Sequence, residues 1–411
     1  MEAISTSGPD GSTAPTLPGL EPRDQLLPLW TDWVPGKILL SGEYLVLDGA
    51  MALGFPTRFG QEMKVFEGDA AGILDWVAVD SQGVVWLAAR FRAVGGSLSL
   101  AENEAASTET NRLQKWLQTA WNLCEDKAWR DTLSRQGLRV QTRLDFPRHW
   151  GLGSSSTLIA LLVRWLKVEP WALYRRVQTG SGYDLAIALE GRALVFRMEG
   201  FDENGNPLPN SGEIEADPAP NYPGQSYPGQ SYPGQSYPGP TYPGQSYPGP
   251  TYSGVETTIP DGAGWWLIDP GTKQNSEREV FSYRLIDPAL RRSVVPELTR
   301  ITLKMAQNPG ADEWLALLEA HDFLLEKVLG RPCVHRSLGA GFPGRLKSLG
   351  AWGGDLMLAV STDPDAALKW LQDRPDWVVL DFHAVVAVQA EPVARPGQAV
   401  QADQAGQADP S

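Results

Sequence analysis

The sequence predicts a mixed α+β fold, and three observations support this. Short apolar segments typical of strands alternate with segments of helical periodicity along most of the chain. Several strand segments follow one another through turn residues, which favours hairpins. The chain has 411 residues, 42% of them hydrophobic and 20% charged, which is the composition of a globular protein. It is long enough for a large core and two or three domains.

Charge and cysteine content exclude several classes of function. The net charge of −14 argues against nucleic acid or an anionic membrane as a partner. It leaves room for a phosphorylated ligand, because a few lysines or arginines can make a locally positive site. Cys124 and Cys333 have neither metal-binding nor disulfide spacing. The sequence has no leader-like segment and no run of 18 apolar residues, so we expect a cytoplasmic protein with reduced thiols.

The N-terminal part of the chain predicts a hairpin-rich sheet and a helix. Residues 1–25 are rich in Gly, Pro, Ser and Thr and are expected to be disordered. A buried strand is expected from Trp33 to Leu47, entered through Pro-Gly and carrying Lys37 near its start. The other segments are strands at 61–66, 73–80 and 83–92 and a helix over 111–129.

A glycine- and serine-rich loop then separates a strand from a helix. The strand is expected over 137–144, and the loop Gly151-Leu152-Gly153-Ser154-Ser155-Ser156 opens into the apolar run 157–163. Free backbone N–H groups and the helix dipole make such a loop an anion site. Its hydroxyls can cap the helix, bind phosphate oxygens or ligate Mg²⁺. Because it lacks the P-loop lysine and the dinucleotide spacing, an ordinary capped turn is the alternative.

Two charged residues near this loop have ordinary structural explanations when taken singly. A second helix is expected from Pro170, and Gly180-Ser181-Gly182 then places Asp184 at the head of a short apolar helix. A carboxylate there complements the helix dipole, and a lone lysine such as Lys37 beside a strand is commonly a surface residue.

The second half of the chain contains a repeat and then returns to regular patterns. Tyr-Pro-Gly-Gln-Ser or Tyr-Pro-Gly-Pro-Thr recurs every five residues from Tyr222 to Ser253, within the aperiodic segment 202–260. We expect an expanded surface loop, with a partner-binding aromatic tract as the alternative. The later segments are strands at 264–269, 356–360 and 377–382, helices at 293–307, 312–329, 343–349 and 365–372, and a disordered tail at 391–411.

Five segments taken together resemble the motifs of the GHMP kinase superfamily, which includes galactokinase, homoserine kinase, mevalonate kinase and phosphomevalonate kinase. Their combination is similar to the bacterial GYDIA family, with Leu185 in place of that family's isoleucine. The resemblance covers roughly residues 30–200 and 262–385. The five segments are Lys37-Ile38-Leu39-Leu40-Ser41-Gly42-Glu43-Tyr44, Trp150-Gly151-Leu152-Gly153-Ser154-Ser155-Ser156, Gly182-Tyr183-Asp184-Leu185-Ala186, Lys273-Gln274-Asn275-Ser276 and Lys347-Ser348-Leu349-Gly350-Ala351-Trp352-Gly353-Gly354-Asp355.

This resemblance implies a two-domain GHMP kinase fold. An N-terminal α+β nucleotide-phosphate domain spans 26–200, and a C-terminal ferredoxin-like α+β domain spans 261–388. The low-complexity insertion at 202–260 lies between them.

The resemblance also implies ATP and Mg²⁺ as cofactors and assigns site residues. Asp184 matches the catalytic aspartate, and Lys37 matches the lysine beside it. Ser155 matches the serine that ligates Mg²⁺. The resemblance assigns binding of the ATP phosphates to Gly151, Leu152, Gly153, Ser154, Ser155 and Ser156. It assigns binding of the acceptor substrate to Glu43, Tyr44, Lys273, Gly350, Gly353 and Gly354.

Three positions depart from the mevalonate-kinase pattern. The stretch 173–177 has no carboxylate where a second acidic Mg²⁺ ligand is expected. Tyr44 replaces a histidine, which is closer to phosphomevalonate kinases, and Trp352 stands where glycine is common. Water or phosphate is therefore expected to complete the metal shell.

The leading hypothesis is an ATP-dependent kinase acting on mevalonate or phosphomevalonate in isoprenoid precursor synthesis. The alternatives are a homoserine or sugar kinase, a related decarboxylase, and a non-catalytic GHMP-fold sensor. Lys37 and Asp184 together favour an enzyme, because a binding protein needs neither. The expected partners are ATP and a small anionic or hydroxylated substrate. Monomer and homodimer both stay open.

Overall fold

The structure combines helices with mostly antiparallel strands, which confirms the α+β prediction. It is a computed structural model that describes residues 27–101, 106–198, 250–255, 259–271, 276–350 and 356–388. The chain divides into two units. Unit 1 comprises the chain up to Asp32 with residues 62–147 and 165–167, and unit 2 comprises residues 33–61, 148–164 and the chain from Val168 onward.

The strands of the described residues are numbered in chain order. They are β1 Trp30–Ser41, β2 Ala52–Glu67, β3 Ile73–Val79, β4 Val85–Val94, β5 Ser97–Leu100, β6 Leu138–Leu144, β7 Leu194–Arg197, β8 Thr251–Gly254, β9 Gly264–Asp269, β10 Arg345–Leu349, β11 Leu356–Ser361 and β12 Val378–Asp381.

The helices are numbered in the same way. They are α1 Thr108–Leu123, α2 Lys127–Gln136, α3 Ser154–Leu166, α4 Pro170–Val177, α5 Tyr183–Glu190, α6 Ser276–Arg284, α7 Pro288–Ala306, α8 Ala311–Leu329, α9 Val334–Leu338, α10 Pro364–Gln372 and α11 Phe382–Val385.

Unit 1 is a sheet with two helices. Its strand order is β5-β4-β3-β6, followed by the end of β2, and β3 pairs with β6 in parallel and with β4 in antiparallel fashion. The β3 strand is buried along its whole length. Three tryptophans pack edge to face or tilted, with ring centroids of Trp121 and Trp129 at 6.4 and 5.6 Å from Trp165. Trp121 and Trp165 are buried core residues, and Trp129 is half-buried beside Trp165.

Unit 2 contains two groups of strands. The first part of β2 pairs with β1 and β7, and β8 pairs with β7. A separate antiparallel sheet has the order β10-β11-β9-β12. Its buried face packs on α9 and α10 through side chains such as Ile268, Leu346 and Leu371. The long helices α7 and α8 pack against each other and on the 3₁₀ turn Leu45–Asp48.

Three helices of unit 2 begin with the same local chemistry. An acidic N-cap accepts backbone N–H groups, and a proline follows at the first helical position, where a missing N–H costs nothing. The pairs are Glu169-Pro170 at α4, Asp287-Pro288 at α7 and Asp363-Pro364 at α10. The helix start predicted at Pro170 is therefore confirmed.

Three sequence predictions differ from the structure. The first strand ends at Ser41 rather than Leu47, because Gly42 at φ 99° turns the chain into the 3₁₀ turn. The helix predicted over 111–129 is two helices, since Asp126 caps the second. Residues 345–349 form strand β10 instead of a helix. The predicted tails, most of the repeat, Lys273, Gly353 and Gly354 lie outside the described residues.

The last repeat unit differs from the others. Six tyrosines of the repeat are followed by proline, but Tyr252 is followed by Ser253. This unit forms β8, in which Ser253 lies opposite Val195. Proline cannot donate a ladder hydrogen bond, so the exchange of proline for serine permits pairing here. Among the helices described, none is long and apolar enough to cross a membrane.

Candidate active site

The glycine- and serine-rich loop lies where the sequence predicts, immediately before α3 in unit 2. Gly153 adopts φ 88°, and a Cβ there would come within 2.7 Å of Ser156 Oγ and 3.2 Å of Lys37 Cγ. Both the backbone conformation and the space therefore require glycine. The Gly153 carbonyl accepts the Thr157 N–H at 2.9 Å and the Ser156 hydroxyl at 2.8 Å. The helix thus starts directly at the loop, and its first N–H groups stay available to an anion.

Buried polar contacts hold this loop from both sides. Thr157 Oγ1 donates to Gln61 Oε1 at 2.6 Å. Before the loop, one carboxylate oxygen of Asp269 accepts the Trp150 indole N–H at 2.9 Å and lies 2.8 Å from His149 Nε2. Asp269 is buried at the end of β9. Sequence reasoning missed it; the only signal was its place between an apolar strand and Pro270.

Lys37 joins three segments of the site. Its backbone N–H donates to the Leu152 carbonyl at 2.9 Å, and its Nζ donates to the Gly151 carbonyl at 2.9 Å. The same ammonium lies 5.6 Å from the centre of the Tyr183 ring, in the first turn of α5. The loop, β1 and α5 therefore meet at this one side chain, which is half-buried.

Asp184 is half-buried in the first turn of α5. Its Oδ1 accepts the Leu185 N–H at 2.9 Å and the Tyr174 hydroxyl at 3.4 Å. Burial raises the pKa of Asp184, and the positive charge of Lys37 and the hydrogen bonds oppose that rise without cancelling it. A carboxylate whose pKa is raised toward pH 7 is a stronger base and accepts a proton more readily than an ordinary aspartate.

Glu43 lies in a buried charged cluster. Lys347 Nζ donates to Glu43 Oε1 and to the Ser348 carbonyl, the latter at 3.1 Å. His321 Nε2 lies 2.9 Å from Glu43 Oε2. Burial raises the pKa of Glu43, but Lys347 and His321 outweigh it and lower the pKa from 4.5 to about 2. Lys347 belongs to the predicted segment 347–355, whereas nothing in the sequence marked His321.

Tyr44 lies in an aromatic pair at the start of the 3₁₀ turn. Its ring stacks on Tyr283 with centroids 5.3 Å apart, and its hydroxyl donates to Glu279 Oε2 at 3.4 Å. The backbone of Tyr44 has φ 58°, which is uncommon for a residue with a side chain. Tyr283 in turn donates to Asp48, which Arg291 Nη1 contacts at 3.0 Å.

The predicted residues of the third motif are only partly described. Gly350 follows β10 at φ 81°, and a Cβ there would meet no described atom within 4 Å. Its backbone conformation, rather than crowding, therefore favours glycine. Lys273, Gly353 and Gly354 lie outside the described residues.

The loop fits phosphate groups better than it fits a protein-only metal site. The half-buried Ser154 and Ser155 lie at the N-terminus of a 13-residue helix, beside the Lys37 ammonium. Within the described ranges, no group of three or more His, Cys, Asp or Glu side chains could hold a metal ion. A cation at this loop would therefore share protein oxygen, such as the Ser155 hydroxyl, with phosphate and water.

Solved structures of small-molecule kinases share this fold. The phosphomevalonate kinase of Streptococcus pneumoniae, solved with phosphomevalonate and AMPPNP, aligns at a TM-score of 0.54 and 17% identity. The alignment covers 84% of this chain and 96% of that one. The L. major mevalonate kinase, solved with R-mevalonate, aligns at 0.52 and 13% identity over 90% and 99% of the two chains.

A third structure, the Lin0012 protein from Listeria innocua, aligns at a TM-score of 0.56 and 14% identity, covering 86% of this chain and 97% of that one. No protein-family model matches the sequence, and no curated protein matches it. At these identities the likeness concerns architecture. The chain has the α+β fold of the mevalonate and phosphomevalonate kinase structures.

Proposed function

We propose that this chain is an ATP-dependent small-molecule kinase of the GHMP type, with mevalonate or phosphomevalonate as acceptor. One observation supports the proposal most strongly. The Lys37 side chain contacts both the backbone of the loop at residues 151–156 and helix α5, which carries Asp184. Phosphoryl transfer needs a phosphate cradle, a positive charge and an acidic group that orients the acceptor, and these three are adjacent here.

In the proposed reaction, an acceptor oxygen attacks the γ-phosphorus of ATP: the hydroxyl oxygen of mevalonate or a phosphate oxygen of phosphomevalonate. An O–P bond forms, the bond between that phosphorus and the bridging oxygen breaks, and ADP leaves. With mevalonate, the proton of the attacking hydroxyl passes to the Asp184 carboxylate, whereas an ionised phosphate oxygen has no proton to transfer. Lys37 favours the anionic carboxylate and offsets negative charge on the phosphates. The backbone of residues 151–156 binds the phosphates at the start of α3.

Mg²⁺ would neutralise phosphate charge when bound, and Ser155 is the residue we propose to hold it. The rest of its shell would come from phosphate and water, since α4 has no carboxylate at residues 173–177. Lys273, Gly353 and Gly354 stay proposed acceptor contacts. We retain Glu43 and Tyr44 among the proposed acceptor residues, with Glu43 acting from within its ion-paired cluster.

The acceptor assignment is supported by fold likeness to two enzymes whose structures contain phosphomevalonate or R-mevalonate. The division into domains at 26–200 and 261–388 is proposed on the resemblance of the sequence to GHMP kinases. Homoserine or sugar kinase activity and a nucleotide-binding sensor are the competing assignments.

The test is ADP release from ATP and Mg²⁺, measured with mevalonate, phosphomevalonate, homoserine and galactose as separate acceptors. We expect turnover with mevalonate or phosphomevalonate. Turnover with another acceptor only would overturn the substrate assignment. ATP binding without turnover on any acceptor would favour the sensor.

Asp184→Asn tests the mechanism. We expect kcat to fall at least about 100-fold, because the amide cannot take the proton, while the Kd for ATP stays unchanged. Asp126→Asn is the matched control, since asparagine caps α2 as well as aspartate does and the residue lies in unit 1. Equal activity of Asp184→Asn and the wild type would refute the proposed role.

A further inference from the structure

Tyr174 on α4 donates a side-chain hydrogen bond to the Asp184 carboxylate. Its side chain is 5% exposed, and its hydroxyl donates to Asp184 Oδ1 at 3.4 Å. The resemblance to GHMP kinases gives this residue no role; it lies in the stretch where an acidic metal ligand was expected and is absent.

The loop that leads into α5 packs closely against the side chains of Tyr174 and Trp171. A Cβ on Gly180 would lie 2.9 Å from the Tyr174 hydroxyl oxygen. A Cβ on Gly182, which adopts φ 89°, would lie 2.7 Å from Trp171 Cζ3 and 3.4 Å from Tyr174 Cε1. The two rings contact each other with centroids 6.1 Å apart. The position of Asp184, two residues past Gly182, therefore depends on these rings.

The Tyr174 hydroxyl can act only as a donor toward the carboxylate. Burial, and then the negative charge of Asp184, raise the pKa of Tyr174 well above its usual value of 10. The phenol therefore stays protonated throughout the range in which an enzyme works. A backbone hydrogen bond from Gly182 also reaches the hydroxyl, which fixes the direction of the O–H group.

The groups that act on Asp184 come from three elements. Lys37 acts from β1, Tyr174 from α4 and the Leu185 N–H from α5, with Tyr183 adjacent on the same helix. Two hydrogen bonds, from the Leu185 backbone N–H and from the Tyr174 hydroxyl, both end on Oδ1 of Asp184. Neither of these two bonds occupies Oδ2.

We propose that Tyr174 is a positioning residue, whose hydroxyl holds Oδ1 of Asp184 so that Oδ2 faces the acceptor hydroxyl. This inference rests on the proposed kinase function. Loss of the hydroxyl should destabilise the carboxylate and let it rotate, since the hydrogen bond favours the charged form.

Tyr174→Phe keeps the ring and removes the hydroxyl. Tyr252→Phe is the matched control, because Tyr252 packs on the same Trp171 at 6.3 Å between ring centroids but its hydroxyl contacts Glu190. The carboxyl of Asp184 is followed by ¹³C NMR in aspartate-labelled protein, with Asp184→Asn identifying the signal. We expect Tyr174→Phe to raise the pKa of Asp184 and Tyr252→Phe to leave it unchanged. An unchanged pKa in Tyr174→Phe overturns the proposal.

The kinetic arm uses ATP with mevalonate and with phosphomevalonate. Tyr174→Phe should lower kcat roughly tenfold, the rate equivalent of a lost hydrogen bond to a charged group, with KM for ATP unchanged. The acidic limb of the pH profile should move to higher pH. Unchanged kcat and pH profile overturn the positioning role. If the wild type turns over neither acceptor but the NMR shift is seen, the kinase proposal fails for these substrates and the contact between Tyr174 and Asp184 stands.

Discussion

The buried pair of Glu43 and Lys347 gives a sharp prediction for stability. Glu43→Gln removes the negative charge and leaves the Lys347 ammonium, 1% exposed, without its charged partner, beside the Ser348 carbonyl at 3.1 Å. Lys347→Met leaves the Glu43 carboxylate, 2% exposed, beside His321. Removing one partner of a buried ion pair costs about 3–5 kcal/mol, because the other charge stays out of water. Each single variant should lose that much stability.

The double variant Glu43→Gln/Lys347→Met leaves neither charge behind. Its loss of stability should be smaller than the sum of the two single losses by about 2–3 kcal/mol, as for residues in direct contact. The free energy of unfolding of natural proteins is only about 5–15 kcal/mol. A single substitution here thus removes a large part of the total.

The assay is urea unfolding of the wild type, the two single variants and the double variant, with the slope m checked for each. Arg300→Met is the control, since the pair of Arg300 with Glu297 is half-exposed and neighbouring on one helix. That change should cost less than about 1 kcal/mol. If the losses of the two single variants add up to that of the double variant within about 0.5 kcal/mol, the two side chains are not coupled and the reasoning is wrong.

Two further predictions concern pH and the repeat. Because the pKa of Glu43 is about 2 in the folded chain and 4.5 ordinarily, the unfolded chain binds more protons between these values. The contribution of Glu43 to the free energy of unfolding should therefore be full above about pH 4.5 and fall toward pH 2. Urea titrations at each pH would show this loss, and the Glu43→Gln variant should lack the part that is due to Glu43. Ser253→Pro should disrupt the pairing of β8 with β7. The backbone N–H of Val255 donates to the Ala193 carbonyl at 3.1 Å, so its hydrogen exchange should accelerate in Ser253→Pro and stay slow in Ser253→Ala. Slow exchange in the proline variant would contradict the pairing argument.

Local patterns in the sequence were sufficient for most of the fold. The loop at 151–156 combines glycines with a following apolar helix, and acidic-residue–proline pairs mark helix starts. These signals lie within a few residues of the structure that they predict. The same is true of the strand that begins at Gly264, whose apolar run is continuous.

The error at residues 345–349, and the site residues that the sequence did not reveal, involve contacts between distant residues. Residues 345–349 have leucines spaced three apart, which suggests a helix, yet they form a strand that pairs with β11 and buries Lys347 and Ser348. Burial of the Lys347 ammonium is offset by its ion pair with Glu43, which lies 304 positions earlier in the chain. His321 and Asp269 act through partners 278 and 120 positions away, and no local pattern reveals such pairs.

The serine at position 253 has a consequence for how this chain can change over generations. Tandem copies of a short coding unit are readily gained or lost, and each event here would add or remove five residues. Only the unit containing Tyr252 lacks proline after its tyrosine, and this unit pairs with β7. A change in copy number that left this unit in place would keep Tyr252 against Phe196 and Trp171. Ser253 therefore marks the copy whose loss would remove a strand from the sheet.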